Sequence, residues 1–178
     1  MDVADVCDVM KTAMSMEEDS ERFYREAAQE AENPLAQNTF EALADWEVKH
    51  RELLQEVFDH ADATDSCPAL TELDIEQMDA KDEAATIFDA AREQVEEGEA
   101  EASEELNAAY AAAMSKERAA IEFYKSHIAE TDNEHEKQLY QFLLGQERGH
   151  LNLLATTEEY LNDTKYWHFK QEHWIVTG

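Results

Sequence analysis

Residues 13–24 read AMSMEEDSERFY, and residues 113–124 read AMSKERAAIEFY. Residues 46–50 read WEVKH, and residues 146–150 read QERGH; Leu53-Leu54 returns as Leu153-Leu154. Every match is offset by 100 residues with no gap. Chance similarity between acidic, alanine-rich helices does not explain repeated Tyr and His positions. The chain is therefore read as two copies of one supersecondary unit. Gly and Pro are scarce, 4 and 2 in 178 residues. Ala, Glu, Leu and Gln are abundant and Asn-Gly or Asp-Gly hairpin signals are absent, so each unit is a helical hairpin and the fold class is all-α.

Apolar and small residues at helical spacing mark four segments. The first runs from about Val3 to Glu30 with a stripe through Val3, Val6, Met10, Ala13, Tyr24 and Ala27. Asn33-Pro34 makes the turn, and the second runs to about His60 with Ala36, Phe40, Leu43, Leu54 and Val57. The third spans about Ala100 to Glu130 with Leu106, Tyr110, Ala113, Ala120 and Tyr124, and Thr131-Asp132-Asn133 is a capping turn. The fourth runs from about Asn133 to Leu161 with Tyr140, Leu143 and Leu154. Residues 61–99 form one long crossover, within which Asp82 to Glu96 has the spacing of a short helix. A helix of this size is roughly 39 Å long. A connection of such length can return along the whole bundle, which gives a four-helix bundle with one long crossover. Residues 1–162 are expected to form the bundle. The aromatic tail 163–178, with His168, His173, Trp167 and Trp174, is expected to dock on it or on a second subunit.

Lys and Arg number 14 against 43 Asp and Glu, a formal net charge of −29. That excludes a phosphate-backbone binder and an anionic membrane surface as partners, so neither nucleic acid nor membrane is expected. The apolar runs are too short to cross a bilayer, and the acidic N-terminus lacks the pattern of a secretory signal. Two cysteines, Cys7 and Cys67, make no C-x-x-C pair, and a cytoplasmic protein with free thiols is the expectation.

The chemistry lies where the apolar stripes are interrupted. Glu17 falls between Ala13 and Tyr24, and Glu47 and His50 between Leu43 and Leu54. Glu117 falls between Ala113 and Tyr124, and Glu147 and His150 between Leu143 and Leu154. Glu17 and Glu47 are about equally far from the first turn, and Glu117 and Glu147 straddle the second in the same way, so antiparallel pairing brings all six side chains to one depth. An unpaired buried carboxylate costs several kcal/mol, and four together repel one another. Two divalent cations would cancel four carboxylates. The i, i+3 spacing in Glu-x-x-His puts carboxylate and imidazole on one helix face. Oxygen and imidazole donors suit iron or manganese better than a structural zinc. A Glu from each of two helices with Glu-x-x-His from each of the other two is the pattern of dinuclear carboxylate bundles.

On these motifs the chain resembles the rubrerythrin-type members of the ferritin-like di-iron proteins, over roughly residues 8 to 160. The resemblance implies two iron ions, with manganese as the alternative metal. It implies that Glu47 and Glu147 bridge them, that Glu17 and His50 complete one shell, and that Glu117 and His150 complete the other. It also implies that Tyr24 and Tyr124 flank the site; they are read either as catalytic residues that donate hydrogen bonds or an electron beside the metals, or as ordinary core tyrosines with satisfied hydroxyls. Two departures from the family pattern stand out. No C-x-x-C pair of a rubredoxin unit is present, so an external redox donor protein is expected. The extra glutamate of the third helix is replaced by Ala120 and Ile121, which leaves a symmetric six-ligand set as in bacterioferritin.

The expected function is a di-iron oxidoreductase, of peroxidase or oxidase type, that reduces hydrogen peroxide or dioxygen. Rival expectations are a ferroxidase, a manganese catalase and a non-catalytic metal-binding module; a homodimer is the expected assembly. Glu21 and Arg25 are read as an ion pair on the helix face. His60, His127 and His135 are read as surface residues, Trp46 as packing, and the cysteines as bystanders.

Overall fold

The computed structural model describes residues 3–64, 66–73, 75, 78 and 103–162, with side chains from Cys7 onward. Four long helices carry the fold: α1 (Val3–Glu30), α2 (Pro34–Thr64), α3 (Glu104–Glu130) and α4 (Glu134–Asn162). A 3-10 turn, Leu70–Glu72, packs on α4. No strand occurs among the described residues. The expected helix at 82–96 and the tail 163–178 lie outside them.

Helix ends follow from side chains that satisfy the first free N–H groups. Asn33 Oδ1 accepts from the N–H of Leu35 at 2.9 Å and of Ala36 at 3.3 Å, while Pro34 has no N–H to satisfy. Asn133 does the same for His135 at 2.9 Å. Ser103 is extended, with φ −67° and ψ 163°, and its Oγ accepts from Leu106 N–H at 3.1 Å. That cap starts α3 at Glu104, later than the Ala100 expected from composition. At the other boundary α2 continues past His60 to Thr64, because nothing between Ala61 and Thr64 breaks a helix.

Cross-helix contacts give the topology. Tyr24 meets Glu117, and Tyr124 meets Glu17, so the later α1 residue touches the earlier α3 residue and conversely. α1 and α3 are therefore antiparallel. His50 faces Glu147 and His150 faces Glu47, which makes α2 and α4 antiparallel too. With α1/α2 and α3/α4 each a tight hairpin, α2 and α3 run parallel on a diagonal. The segment between them must then join opposite ends of the bundle. Its start is anchored where His135 Nδ1 lies 3.0 Å from the Cys67 carbonyl, beside the N-terminus of α4. α3 begins instead beside the α1–α2 turn, where Ser103 and Leu106 line a groove with Ala31 and Asn33.

The core is split by depth. One apolar cluster gathers Tyr24, Leu35, Phe40, Tyr110 and Leu161 near the α1–α2 turn. The other gathers Met10, Val57, Tyr124, Leu139 and Tyr140 at the opposite end. Fully burying a Leu, Met or Phe contributes about 1.5–3 kcal/mol. The layer holding Glu17, Glu47, Glu117 and Glu147 separates the two clusters, so apolar packing above and below fixes a polar plane between them. No described helix is long and apolar enough to cross a membrane.

Candidate metal centre

All six residues singled out by the repeat are buried at one level. Glu17 is 2% exposed, Glu47, His50, Glu117 and Glu147 are 1%, and His150 is 0%. His50 Nδ1 lies 3.2 Å from Glu47 Oε2, 3.2 Å from Glu147 Oε1 and 3.9 Å from Glu17 Oε2. His150 Nδ1 lies 3.6 Å from Glu47 Oε1, 3.5 Å from Glu147 Oε2 and 3.7 Å from Glu117 Oε1. Each imidazole thus faces both central carboxylates and one outer carboxylate. One ligand atom each from Glu47, His50, Glu147 and His150 falls within 4.8 Å of the others.

The charges in this layer are set by burial and by one another. Burial raises Glu17, and the Glu47 and Glu147 carboxylates raise it further, well above the ordinary carboxylate range. Glu117 is raised well above that range by burial and then by Glu147. Burial opposes ionisation of Glu147 as well, but His50 and His150 win and hold it well below the range. Glu47 is lowered by the same two imidazoles against burial and the Glu147 charge. Burial lowers both imidazoles, yet the surrounding carboxylates hold His50 and His150 well above the usual histidine value. Two anions beside two cations, with two protonated outer carboxyls, is the neutral arrangement that protons alone permit.

Protons alone leave donors unused. Glu117 Oε2, Glu147 Oε1 and both ring nitrogens of His150 are buried without a hydrogen-bond partner among the described residues. Such groups carry the full cost of lost hydration. Glu117 Oε2, Glu147 Oε1 and His150 Nδ1 are the kinds of atom that divalent iron or manganese takes as ligands. With the Glu47, His50, Glu147 and His150 cluster beside them, the donor set is compatible with a dinuclear centre of such ions.

Tyr24 and Tyr124 cross between hairpins. The Tyr124 hydroxyl donates to Glu17 Oε1 at 2.5 Å, and the Tyr24 hydroxyl donates to Glu117 Oε1. Burial, and then the carboxylate each one meets, push both phenols well above their ordinary value and keep them as donors. The outer carboxylate of each hairpin is thus held by the tyrosine of the other.

Two expectations about neighbouring residues change, the Glu21–Arg25 pair and the surface placement of His127. Glu21 pairs with Arg51 on α2, and Arg25 pairs with Asp45 at 2.7 Å. Both pairs run between helices because the α1–α2 interface brings those residues closer than one helical turn does. His127 is half-buried, with Nδ1 2.8 Å from the Phe123 carbonyl and its ring against Phe123 and Tyr140. Its position one turn after Phe123 hides it under the α3–α4 edge. Cys67 is buried, and burial with the nearby Glu136 pushes its thiol up to about 12. Ala120 and Ile121 are buried beside the second apolar cluster and supply no carboxylate.

Two features escaped the sequence. Trp46 stacks on His150, with ring centroids 4.9 Å apart. Its place before Glu47 was visible, but its partner lies on another helix. Glu136 is 1% exposed and accepts from the Thr131 hydroxyl at 2.6 Å. The Thr131 side chain also caps the Asn133 N–H, and that capping turn was the available signal.

The family model described as Rubrerythrin matches residues 8–158. The chain matches no curated protein and no solved structure. The match spans both hairpins and includes all six buried donors and both tyrosines; with a four-helix bundle built around that layer, the chain belongs to the rubrerythrin family.

Proposed function

We propose that this protein is a di-iron oxidoreductase that reduces hydrogen peroxide or dioxygen with electrons from an external donor protein. The observation that carries this reading is the buried layer of four carboxylates and two imidazoles with donor atoms left unused. Glu47 and Glu147, which face both imidazoles, are the candidate bridges. Glu17 with His50, and Glu117 with His150, are the candidate ligands of one position each. When bound, two ferrous ions supply two electrons at once, enough to take hydrogen peroxide and two protons to two molecules of water.

The chain's own residues support that chemistry in three ways. The apolar clusters on either side of the layer exclude bulk water, which strengthens electrostatic interactions inside it. Tyr24 and Tyr124 hold the outer carboxylates from across the hairpin boundary, so these keep their aim when the charge beneath them changes. The protons on His50 and His150 leave when their Nδ1 atoms become ligands.

The deciding experiment is stopped-flow oxidation of the ferrous-loaded protein with hydrogen peroxide and with dioxygen in parallel. Fast reaction with peroxide and slow reaction with dioxygen supports a peroxidase. The reverse preference, with iron released or accumulated beyond two per chain, establishes a ferroxidase instead. One observation favours that second reading. Ala120 and Ile121 leave α3 without a second buried carboxylate beside Glu117, and Arg51 occupies Glu21, so the six-donor set is symmetric. Loaded protein that reacts with neither oxidant is a metal-binding module, and oxygen evolution from manganese-loaded protein marks a catalase.

A further inference from the structure

Three rings lie in one stack beside the acidic layer. The Trp46 indole and the His150 imidazole are 4.9 Å apart at their centroids, with planes 4° from parallel. His150 in turn stacks with His50 at 5.1 Å and 16°. Trp46 is 4% exposed, so its indole is held in the core rather than laid on the surface.

His150 is the donor whose orientation rests least on hydrogen bonds. Its Nδ1 stands 3.5 to 3.7 Å from three carboxylates, beyond good hydrogen-bond length. Neither of its ring nitrogens has a hydrogen-bond partner among the described residues. His50 Nδ1, by contrast, makes a hydrogen bond with Glu47 Oε2 at 3.2 Å. A metal-binding imidazole ordinarily has its far nitrogen fixed by a carboxylate or a carbonyl, which sets the ring plane. At His150 the near-parallel indole face does that work. The internal repeat breaks at this point, since the residue corresponding to Trp46 is Gln146. The support is therefore given to one imidazole of the two.

We propose that Trp46 is a positioning residue: its indole face sets the ring plane of His150 and makes the ion position of Glu117 and His150 unlike that of Glu17 and His50. The proposal rests on the metal-centre reading and adds to it an asymmetry that the six donors do not contain. An imidazole that has lost its flanking ring must be reoriented each time it takes a ligand. The other position, whose imidazole is held by its hydrogen bond with Glu47, feels this little.

The test uses the full chain with Trp167→Phe and Trp174→Phe, which leaves Trp46 as the sole indole, and Co2+ as the probe under anaerobic calorimetry. Trp46→Leu should weaken one of two Co2+ ions about tenfold or more and leave the other within about twofold, the range typical of lost ligand support. Trp46→Phe, which keeps a ring face, should restore parent affinity. In a His150→Ala background Trp46→Leu should change nothing, because the two effects act through one ring. Indole emission in the parent should fall as the His150 position fills. Parent-like binding of both ions by Trp46→Leu overturns the proposal. So does equal weakening of both ions, or a Trp46→Phe variant as weak as Trp46→Leu. A parent that binds fewer than two Co2+ ions defeats the metal-centre reading itself and takes this proposal with it.

Discussion

Lowering the pH from 7 to 6 during metal loading should weaken binding of the ion pair by a factor that the buried layer fixes. Without metal, His50 and His150 are held well above the usual histidine value, so both carry protons near neutrality. Glu17 and Glu117 are raised well above the ordinary carboxylate range and hold protons to higher pH than exposed glutamates. Ligands must be deprotonated to bind, so each filled pair expels the two imidazole protons and up to two carboxyl protons. Each proton released changes the overall binding constant tenfold per pH unit. The loss between pH 7 and 6 is then about 10²- to 10⁴-fold for the pair. Anaerobic calorimetry with Mn2+ in buffers of different ionisation enthalpy counts the protons directly, as the slope of apparent enthalpy against buffer enthalpy. At pH 7, where the count is made, four ordinary glutamates and two ordinary histidines on a solvated face would release only about half a proton. Fewer than one proton per chain would refute the assignment of buried, mutually titrating donors.

The same shifts make the metal-free protein lose stability as the pH rises. The folded chain keeps protons on Glu17 and Glu117 above the unfolded value of 4.5, and on His50 and His150 above 6.5, so it binds more protons than the unfolded chain; Tm of the metal-free form should fall from pH 5 to pH 8, and a rising Tm would contradict the shifts. Glu47→Ala with Glu147→Ala should abolish two-ion loading, measured as bound iron per chain, while circular dichroism remains helical; parent-like iron content in that variant would remove these residues from the centre. Tyr124→Phe takes away the donor to the buried Glu17 carboxyl, a loss of about 1–3 kcal/mol, and should lower Tm by several degrees in the metal-free form. Arg51→Ala removes a partly exposed pair with Glu21 and should cost about 0–1 kcal/mol in denaturant unfolding, with both ions still bound.

How much was legible beforehand depended on whether a residue's partner could be inferred from periodicity. The repeat put Glu17, Glu47, Glu117 and Glu147 at one depth because hairpin geometry makes depth a function of distance from the turn. It gave the four helices for the same reason, since amphipathic spacing reports burial directly. Start sites were less legible: Ser103 competes with the acidic run before it, and only its extended backbone and its bond to Leu106 select Glu104 as the first helical residue. Lateral pairing was least legible. Glu21 and Arg25 look like neighbours along one helix, yet each finds its partner on α2. Trp46 looks like one more core residue, yet it stacks on a side chain from α4. Helical periodicity tells which face is buried and at what level, but not which side chain of a neighbouring helix occupies the same gap.

The places where the two hairpins differ are therefore more informative than those where they agree. Agreement accounts for the layer itself: six donors, two tyrosines, and a pseudo-two-fold exchange in which each tyrosine serves the other hairpin's carboxylate. Two equal positions would follow from that alone. The differences fall on the packing around the layer. Phe40 stands where the second hairpin has Tyr140, Met10 where it has Tyr110, and Trp46 where it has Gln146. The buried hydroxyls of Tyr110 and Tyr140 have no hydrogen-bond partner among the described residues, so each costs stability that a phenylalanine would not. Substitutions that left every donor in place have thus changed what surrounds each half of the centre. Equal ligands in unequal surroundings can hold two ions with unequal affinity, and that inequality would let one ion stay while the other exchanges. Whether a bound metal stays as a resident cofactor or passes through as substrate would then turn on the packing of Trp46 and its neighbours, since the ligand set is the same in either case.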